Sequence, residues 1–366
     1  MPEISIIVPT FSEAGNVREL HARVGRSLQG VADWELIFVD DDSPDGTADV
    51  VRELAQQDRR VRCIQRIGRR GLSSAVVEGA LSSSAPLIAV MDADLQHDET
   101  ILPTLIAEVR ARGLDVAVGS RYVEGGSTGE WALHRKRISR FASKLARGLA
   151  PADLRDPMSG FFVVQSRLLR ESASALSGYG YKILLDLFAS AGRPLRYIEV
   201  PYAFKPRVSG ESKLDSLAVW EYLMLVADKR FGRLVPPRLL FFAVVGGTGV
   251  AVHYALLSIL YLSAGVPFAA SQAAAAWAAM TSNFFLNNLL TYRDRRLRGL
   301  ALVRGLLSFY LVCSLGALAN IGVAAYAFAQ KAQWALSAAA GIVVGTLWNY
   351  LATARFTWRA GRTDGT

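Results

Sequence analysis

The sequence predicts an α/β domain of alternating strands and helices, followed by an all-α domain of four membrane-spanning helices. Three observations carry this. Short β-branched runs alternate with helical stretches over the first 120 residues, the pattern of a parallel sheet covered on both faces. Four long apolar runs follow Pro236 and Pro237. Charge divides at the same point: residues 1–236 hold 31 Lys and Arg against 30 Asp and Glu, whereas residues 237–366 hold 10 against 2. A basic excess confined to the apolar half is the pattern of a membrane domain flanked by arginine, and it argues against nucleic-acid binding. With 51% hydrophobic residues and a mean hydropathy of +0.24, the 366-residue chain is too apolar for an ordinary soluble enzyme.

Within the first half, Ile4–Pro9, Glu35–Val39, Leu87–Met91 and Asp115–Gly119 read as strands, and Val17–Leu28, Ala48–Gln57, Leu72–Ser82 and Ile101–Arg112 as helices. The N-terminus lacks the basic and long apolar regions of a signal peptide, so this half is expected in the cytoplasm. Cys63 and Cys313 lie far apart in opposite halves and imply no disulfide framework.

The four apolar runs are Leu239–Leu262, Phe268–Leu290, Leu300–Phe328 and Trp334–Ala352. Each is long enough to cross about 30 Å of hydrocarbon as a helix. Lys229, Arg230, Arg233 and Arg238 precede the first span; Arg293, Arg295, Arg296 and Arg298 separate the second from the third; Arg355, Arg359 and Arg362 follow the fourth. The other two loops carry no charge and one lysine, Lys331. The positive-inside rule then places both termini and the second loop in the cytoplasm, as expected of a multi-pass protein of the cytoplasmic membrane. His253, Asn283, Asn287, Asn288, Asn320 and Asn349 are costly in lipid unless paired. Helix–helix hydrogen bonding is the plainer reading, and a polar path for a lipid-linked headgroup the sharper one.

Ligand groups in such sheets gather beyond the strands' C-terminal ends. Here the second predicted strand ends in Asp40-Asp41-Asp42 and the third in Asp92-Ala93-Asp94. Asp42 or Ser43 as a helix cap accounts for one acid, not for the clusters. On an extended segment, residues i and i+2 point the same way, so Asp92 and Asp94 converge on one divalent cation, and Gln96 adds a neutral oxygen. Hard oxygen ligands in an incomplete shell suit Mg²⁺ or Mn²⁺ that also holds a substrate diphosphate.

Six ordered motifs extend this. Pro9-Thr10-Phe11-Ser12-Glu13, Asp40 to Thr47 and Asp92 to His97 resemble the nucleotide-sugar motifs of family-2 glycosyltransferases with the GT-A fold. Gly119-Ser120-Arg121-Tyr122, Asp156-Pro157-Met158-Ser159-Gly160-Phe161-Phe162 and Gly210-Glu211-Ser212-Lys213-Leu214 are similar to the dolichyl-phosphate (polyprenyl-phosphate) mannose synthase branch. The last 130 residues resemble a GtrA-like four-helix membrane domain. The expected organisation is a GT-A domain over residues 1–213, an amphipathic juxtamembrane segment over 214–236 and the membrane domain over 237–366. One departure is Phe11-Ser12 where the family usually has Tyr-Asn; phenylalanine keeps the stacking face and loses the hydroxyl.

The resemblance implies that Pro9, Phe11, Glu13, Val39 and Asp41 line the base and ribose of a nucleotide-sugar donor, with Asp92 and Ala93 also at the donor. It implies that Asp92, Asp94 and Gln96 bind Mg²⁺ or Mn²⁺ and the diphosphate. Arg121, Arg135 and Ser139 would hold the lipid phosphate, and Arg207 would lie near the phosphates. The catalytic set is Asp92, Asp94 and Arg121, with Asp92 as a base the weaker alternative. The implied reaction is inverting transfer of a hexose, foremost mannose from GDP-mannose, to a polyprenyl phosphate. UDP-glucose as donor and a membrane half that flips the product are the alternatives. A processive polysaccharide synthase is disfavoured, because no Gln-x-x-Arg-Trp motif precedes the spans. Residues 132–150 carry six cations and no acid between apolar positions, the composition of a helix lying on an anionic bilayer, and Leu217–Val226 is a second interfacial candidate.

Overall fold

The computed structural model describes residues 1–31, 33–127, 149–177, 182–205, 216–232, 235–292, 295–330 and 334–358. Arg135, Ser139, Arg207, the basic stretch 132–148 and the Gly210–Leu214 motif lie outside the described residues. The chain divides into two compact units, Met1–Arg230 and Phe231–Thr366.

The first unit is built on β1 (Ile4–Thr10), α1 (Ala14–Ser27), β2 (Trp34–Asp40), α2 (Thr47–Gln57), β3 (Val61–Gln65), α3 (Leu72–Leu81), β4 (Leu87–Val90), α4 (Leu102–Arg112) and β5 (Val116–Ser120). Then come β6 (Phe162–Gln165), α5 (Ser166–Ser172), α6 (Ile183–Ser190), β7 (Tyr197–Pro201) and α7 (Ser216–Phe231). Seven strands form one sheet in the order β3-β2-β1-β4-β6-β5-β7. The four expected strands are β1, β2, β4 and β5. Their side chains divide by alternation: Ile4, Ile6 and Val8 face a core with α1 and α4, while Ile7, Ile37 and Val39 face the layer of α3, α5 and α6. Strands buried on both faces read as continuous apolar runs, which is why these segments were legible.

The sheet is mixed where alternation predicts a parallel one: β6 runs antiparallel to both β4 and β5. The reason is local. The chain leaves β5 at its C-terminal end and comes back to that same end, where Ser159 Oγ donates to Gly119 O at 2.7 Å and Gly119 N donates to Phe161 O at 2.8 Å. A strand entered from there points the opposite way to β5, since a parallel one needs a crossover to the far end.

In α7, Met224 to Ala227 are consecutively buried, with Leu225 and Val226 packed against Leu185 and Met158. This part of the expected interfacial helix is therefore clamped onto the α/β unit. Lys229 is likewise not a flanking charge turned to a membrane: its Nζ meets Asp186 Oδ1 at 2.7 Å and is almost fully enclosed.

The second unit consists of α8 (Pro237–Ser258), α9 (Phe268–Leu286), α10 (Gly299–Ala329) and α11 (Trp334–Ala352). A π-helical turn extends α8 to Ser263, α9 to Thr291 and α11 to Thr357. Pro237–Ser263 and Gly299–Ala327 have the length and hydropathy of membrane spans. Leucine, valine and tyrosine side chains on these helices are widely exposed, Leu262, Leu307, Leu318 and Tyr326 among them, as on helices that face lipid.

Candidate active site

Among the described residues, three non-glycine residues hold a left-handed backbone: Ser12 (φ 59°), Asp42 (φ 57°) and Leu95 (φ 62°). They stand in the loops after β1, β2 and β4, three adjacent parallel strands, at their C-terminal ends. For Leu95 no local side-chain hydrogen bond offsets the Cβ clash, so this geometry costs on the order of 1 kcal/mol or more. Strain concentrated in three neighbouring loops marks the edge at which a ligand is expected.

In the first two loops the acids divide their work. Asp40 is fully buried and structural, receiving Thr10 Oγ1 at 3.2 Å and Ser43 N at 2.9 Å. Asp41 accepts from Gly71 N at 2.7 Å and from Nε of the buried Arg66 at 2.7 Å, while Arg66 Nη1 reaches Ser74 Oγ. The α2 cap belongs to neither Asp42 nor Ser43. The N-cap is Gly46, which has no side chain to bond the helix end, and Asp45 just before it accepts from Thr47 N at 3.1 Å and from Ala14 N at 3.1 Å, which ties the β1 and β2 loops together. Glu13 N donates to Thr47 Oγ1 across the same seam. Val39 is fully buried, its side chain in the core, so it offers a ligand only its backbone. Phe11 has the Arg70 guanidinium 4.2 Å from its ring centre, a stacked aromatic–cation platform beside Pro9.

After β4, Asp92 is about one-third exposed and Asp94 is buried. Asp94 Oδ1 accepts from Gln96 N at 3.2 Å, and the Gln96 Nε2 donates to Lys205 O at 3.0 Å, which leaves the amide oxygen as its remaining acceptor. This is an all-oxygen donor set of two carboxylates and one amide. No group of three or more acids, histidines or cysteines is placed to hold a metal ion among the described residues, so the set suits a hard cation only as an incomplete shell, finished by a ligand. Gly160 supplies the clearance: a Cβ there would stand 3.2 Å from Asp92 Oδ2 and 3.5 Å from His97 Cε1.

His97 organises this loop. Its Nδ1 accepts from Asp92 N at 3.1 Å, and its ring stacks on Phe161 at 5.1 Å with Tyr202 and Phe204 edge-on. Burial pushes the imidazole down to about 4, so it is neutral at physiological pH and its accepting nitrogen is the one that Asp92 N uses.

Phe204 also lies 5.4 Å from the Arg121 guanidinium, which links the carboxylate loop to the end of β5. Arg121 is held in a fork by the fully buried Asp156, Nε to Oδ2 and Nη2 to Oδ1 both at 2.8 Å. Burial works against its charge, but the Asp156 bonds outweigh it and hold the guanidinium protonated. Lys182, before α6, lies within electrostatic reach of the same groups. Burial and then Arg121 push its ammonium below the usual lysine range, against the pull of Asp92 and Asp156. The site thus brings together Asp92, Ala93, Asp94, Gln96 and Arg121, and adds His97, Asp156, Gly160 and Lys182, which the sequence reading did not single out. His97, Asp156 and Gly160 stood in quoted motifs, whereas Lys182 had no sequence signal. A separate cavity of about 910 Å³, lined by Pro2, Arg26, Trp34 and Arg60, lies near the N-terminal ends of β1 and β2 and contains none of these residues.

The chain is similar to known proteins along both of its units. Residues 5–172 match the family described as Glycosyl transferase family 2, and residues 241–358 match GtrA/DPMS, transmembrane domain. The dolichol-phosphate mannosyltransferase of Pyrococcus furiosus is 34% identical over 97% of this chain and 99% of its own length. This chain belongs to the dolichol-phosphate mannosyltransferase branch of the family-2 glycosyltransferases. The corresponding protein of Saccharomyces cerevisiae is 38% identical over 62% of this chain and 86% of its own. The undecaprenyl-phosphate mannosyltransferase of Micrococcus luteus is 33% identical over 60% and 90%. The chain is therefore a glycosyltransferase and a membrane protein, its GT-A domain followed by a GtrA/DPMS helical domain.

Proposed function

We propose that the enzyme transfers mannose from GDP-mannose to the phosphate of a polyprenyl lipid, dolichyl or undecaprenyl phosphate, with inversion at the anomeric carbon. The relatives' mannosyltransferase names support the sugar and the acceptor class. The observation that carries the reading is the pairing of Asp92 and Asp94 with a fixed guanidinium, Arg121, through the His97 and Phe204 rings.

The donor nucleotide enters over the β1 and β2 loops, with its base against the Phe11 platform and its ribose by Glu13 and Asp41. Asp92, Asp94 and Gln96 would hold Mg²⁺ or Mn²⁺, which when bound neutralises the departing diphosphate. Arg121 orients the acceptor phosphate, with Asp156 fixing the plane of its fork. Arg135, Ser139 and Arg207 complete the phosphate contacts. A phosphate monoester, with a second pKa of about 6, is largely dianionic at pH 7 and needs no general base. Its oxygen attacks C1, the bond from C1 to the donor's β-phosphate oxygen breaks, and GDP leaves with the electron pair. The acceptor lies in the bilayer, and the catalytic unit and both termini face the cytoplasm, with the helices α8 to α11 as four spans.

An in vitro transfer assay on the full-length protein tests this, with radiolabelled GDP-mannose or UDP-glucose, a polyprenyl phosphate and Mg²⁺ or Mn²⁺. Mannolipid from GDP-mannose alone, lost on chelation and restored by the metal, is expected. Glucolipid alone would overturn the donor, and no lipid product from either would overturn the transfer.

A further inference from the structure

The loop between β3 and α3 starts and ends on one carboxylate. Asp41 accepts from Arg66 Nε and from Gly71 N, both at 2.7 Å, and Arg66 Nη2 closes the ring by donating to Gly71 O at 2.8 Å. Residues 67–70 stand out from that ring. Ile67 is 77% exposed, and Arg69 Nη2 pairs with Glu78 Oε1 of α3 at 2.9 Å. Gly68 has a left-handed backbone (φ 67°) with nothing within reach of a Cβ, so this turn can shift without meeting a neighbour.

Arg70 differs from Arg66 and Arg69, which each have a carboxylate. Among the described residues it forms no ion pair or hydrogen bond; its exposed guanidinium lies over the Phe11 ring, 4.2 Å from the centre. Phe11 is also the platform for the donor's base, and at that distance no base fits between ring and cation. To admit one, the guanidinium has to move out by about 3.5 Å, one layer of stacked carbon. Relative strengths decide which arrangement wins. An exposed cation–π contact is weaker than a base stacked on an aromatic ring, and the base brings a second π face that the displaced guanidinium can take. Because Asp41 pins both ends of the loop, Arg70 stays above the platform while this exchange occurs.

We propose that Arg70 is a further residue of the donor site, a lid that rests on Phe11 in the empty protein and stacks on the outer face of the nucleobase once the donor is bound. The proposal rests on the donor reading and adds to it the turn after β3. A lid of this kind has to lift for entry and again for exit.

Stopped-flow binding of mant-GDP to the full-length protein in detergent micelles with Mg²⁺ tests this. In Arg70→Ala, association and dissociation should both quicken by about three- to tenfold, the effect of removing one cation–π contact from each state, with little change in their ratio. Arg70→Gln loses the same charge but keeps a planar group, so its rates should fall between those of the alanine variant and the parent. Faster association alone would make Arg70 a mere obstruction on Phe11, and faster dissociation alone a fixed contact of the bound nucleotide; either overturns the exchange. Slower association in both variants would make it a cation that attracts phosphate, and unchanged rates would place the base away from this face of Phe11; both overturn the proposal. The parent tests the donor reading separately. Binding of mant-UDP in place of mant-GDP overturns the guanine alone, and the variants are then read on mant-UDP. Binding of neither overturns the donor site and the lid together.

Discussion

His97 sets the Asp92 loop by two means, an accepted backbone hydrogen bond and a seat among three aromatic rings, one stacked and two edge-on. His97→Phe keeps the ring and removes the acceptor. Turnover should fall by about 10–100-fold, the usual effect of losing a support behind a ligand residue, and Mn²⁺ affinity read by paramagnetic resonance should weaken with it. His97→Asn, whose Oδ1 occupies the place of Nδ1, should recover part of both. Unchanged Mn²⁺ affinity in the Phe variant would reduce the histidine to packing. The aspartates of this loop were legible because i, i+2 spacing after a buried strand turns two carboxylates the same way. The partners that aim them were not: Asp156 is 35 residues from Arg121, and Lys182 is in no motif.

At the scale of elements, strands with two buried faces announce themselves, and those with a mixed environment do not. β3 and β7 are only partly buried and carry charged residues, Arg62 and Glu199, so their sequences show neither a clean alternation nor a continuous apolar run. β7 is held instead by contacts at its start. Asp115, leading into β5, accepts from Arg193 Nη2 at 2.7 Å and Nη1 at 2.9 Å and from Arg196 N at 2.8 Å. The Arg193 bonds hold its carboxyl below the ordinary value. Folding therefore favours the charged form: the stabilisation is complete above the unfolded pKa of about 3.9 and is lost as pH falls through the lower folded value. Asp115→Asn should melt below the parent at pH 7, and the gap should close as pH drops below about 4. A gap independent of pH, in thermal unfolding of the two proteins side by side, would show that packing and not charge joins β5 to β7.

For the whole molecule, the division of charge is the governing fact. The helical unit carries its arginines near helix ends: Arg238 at the start of α8, Arg295 to Arg298 before α10 and Arg355 near the end of α11. Lys229 leaves this set, since Asp186 consumes its charge inside the catalytic unit. Under the positive-inside rule the remaining bias predicts a cytoplasmic catalytic unit and second loop. Trypsin should cut the 293–298 loop and the catalytic unit in inside-out vesicles and spare them in right-side-out ones. Cleavage from the outer face would reverse the orientation.

The sequence by itself determined the two-domain plan, the strands β1, β2, β4 and β5, and the loops that carry the acids. It did so because burial on both sheet faces, membrane thickness and i, i+2 geometry each leave a periodic trace along the chain. Tertiary structure decided the antiparallel course of β6, the Asp41–Arg66 and Arg121–Asp156 pairs, and the aromatic seat of His97. Those depend on contacts between residues far apart in the chain, whose partners no local pattern names.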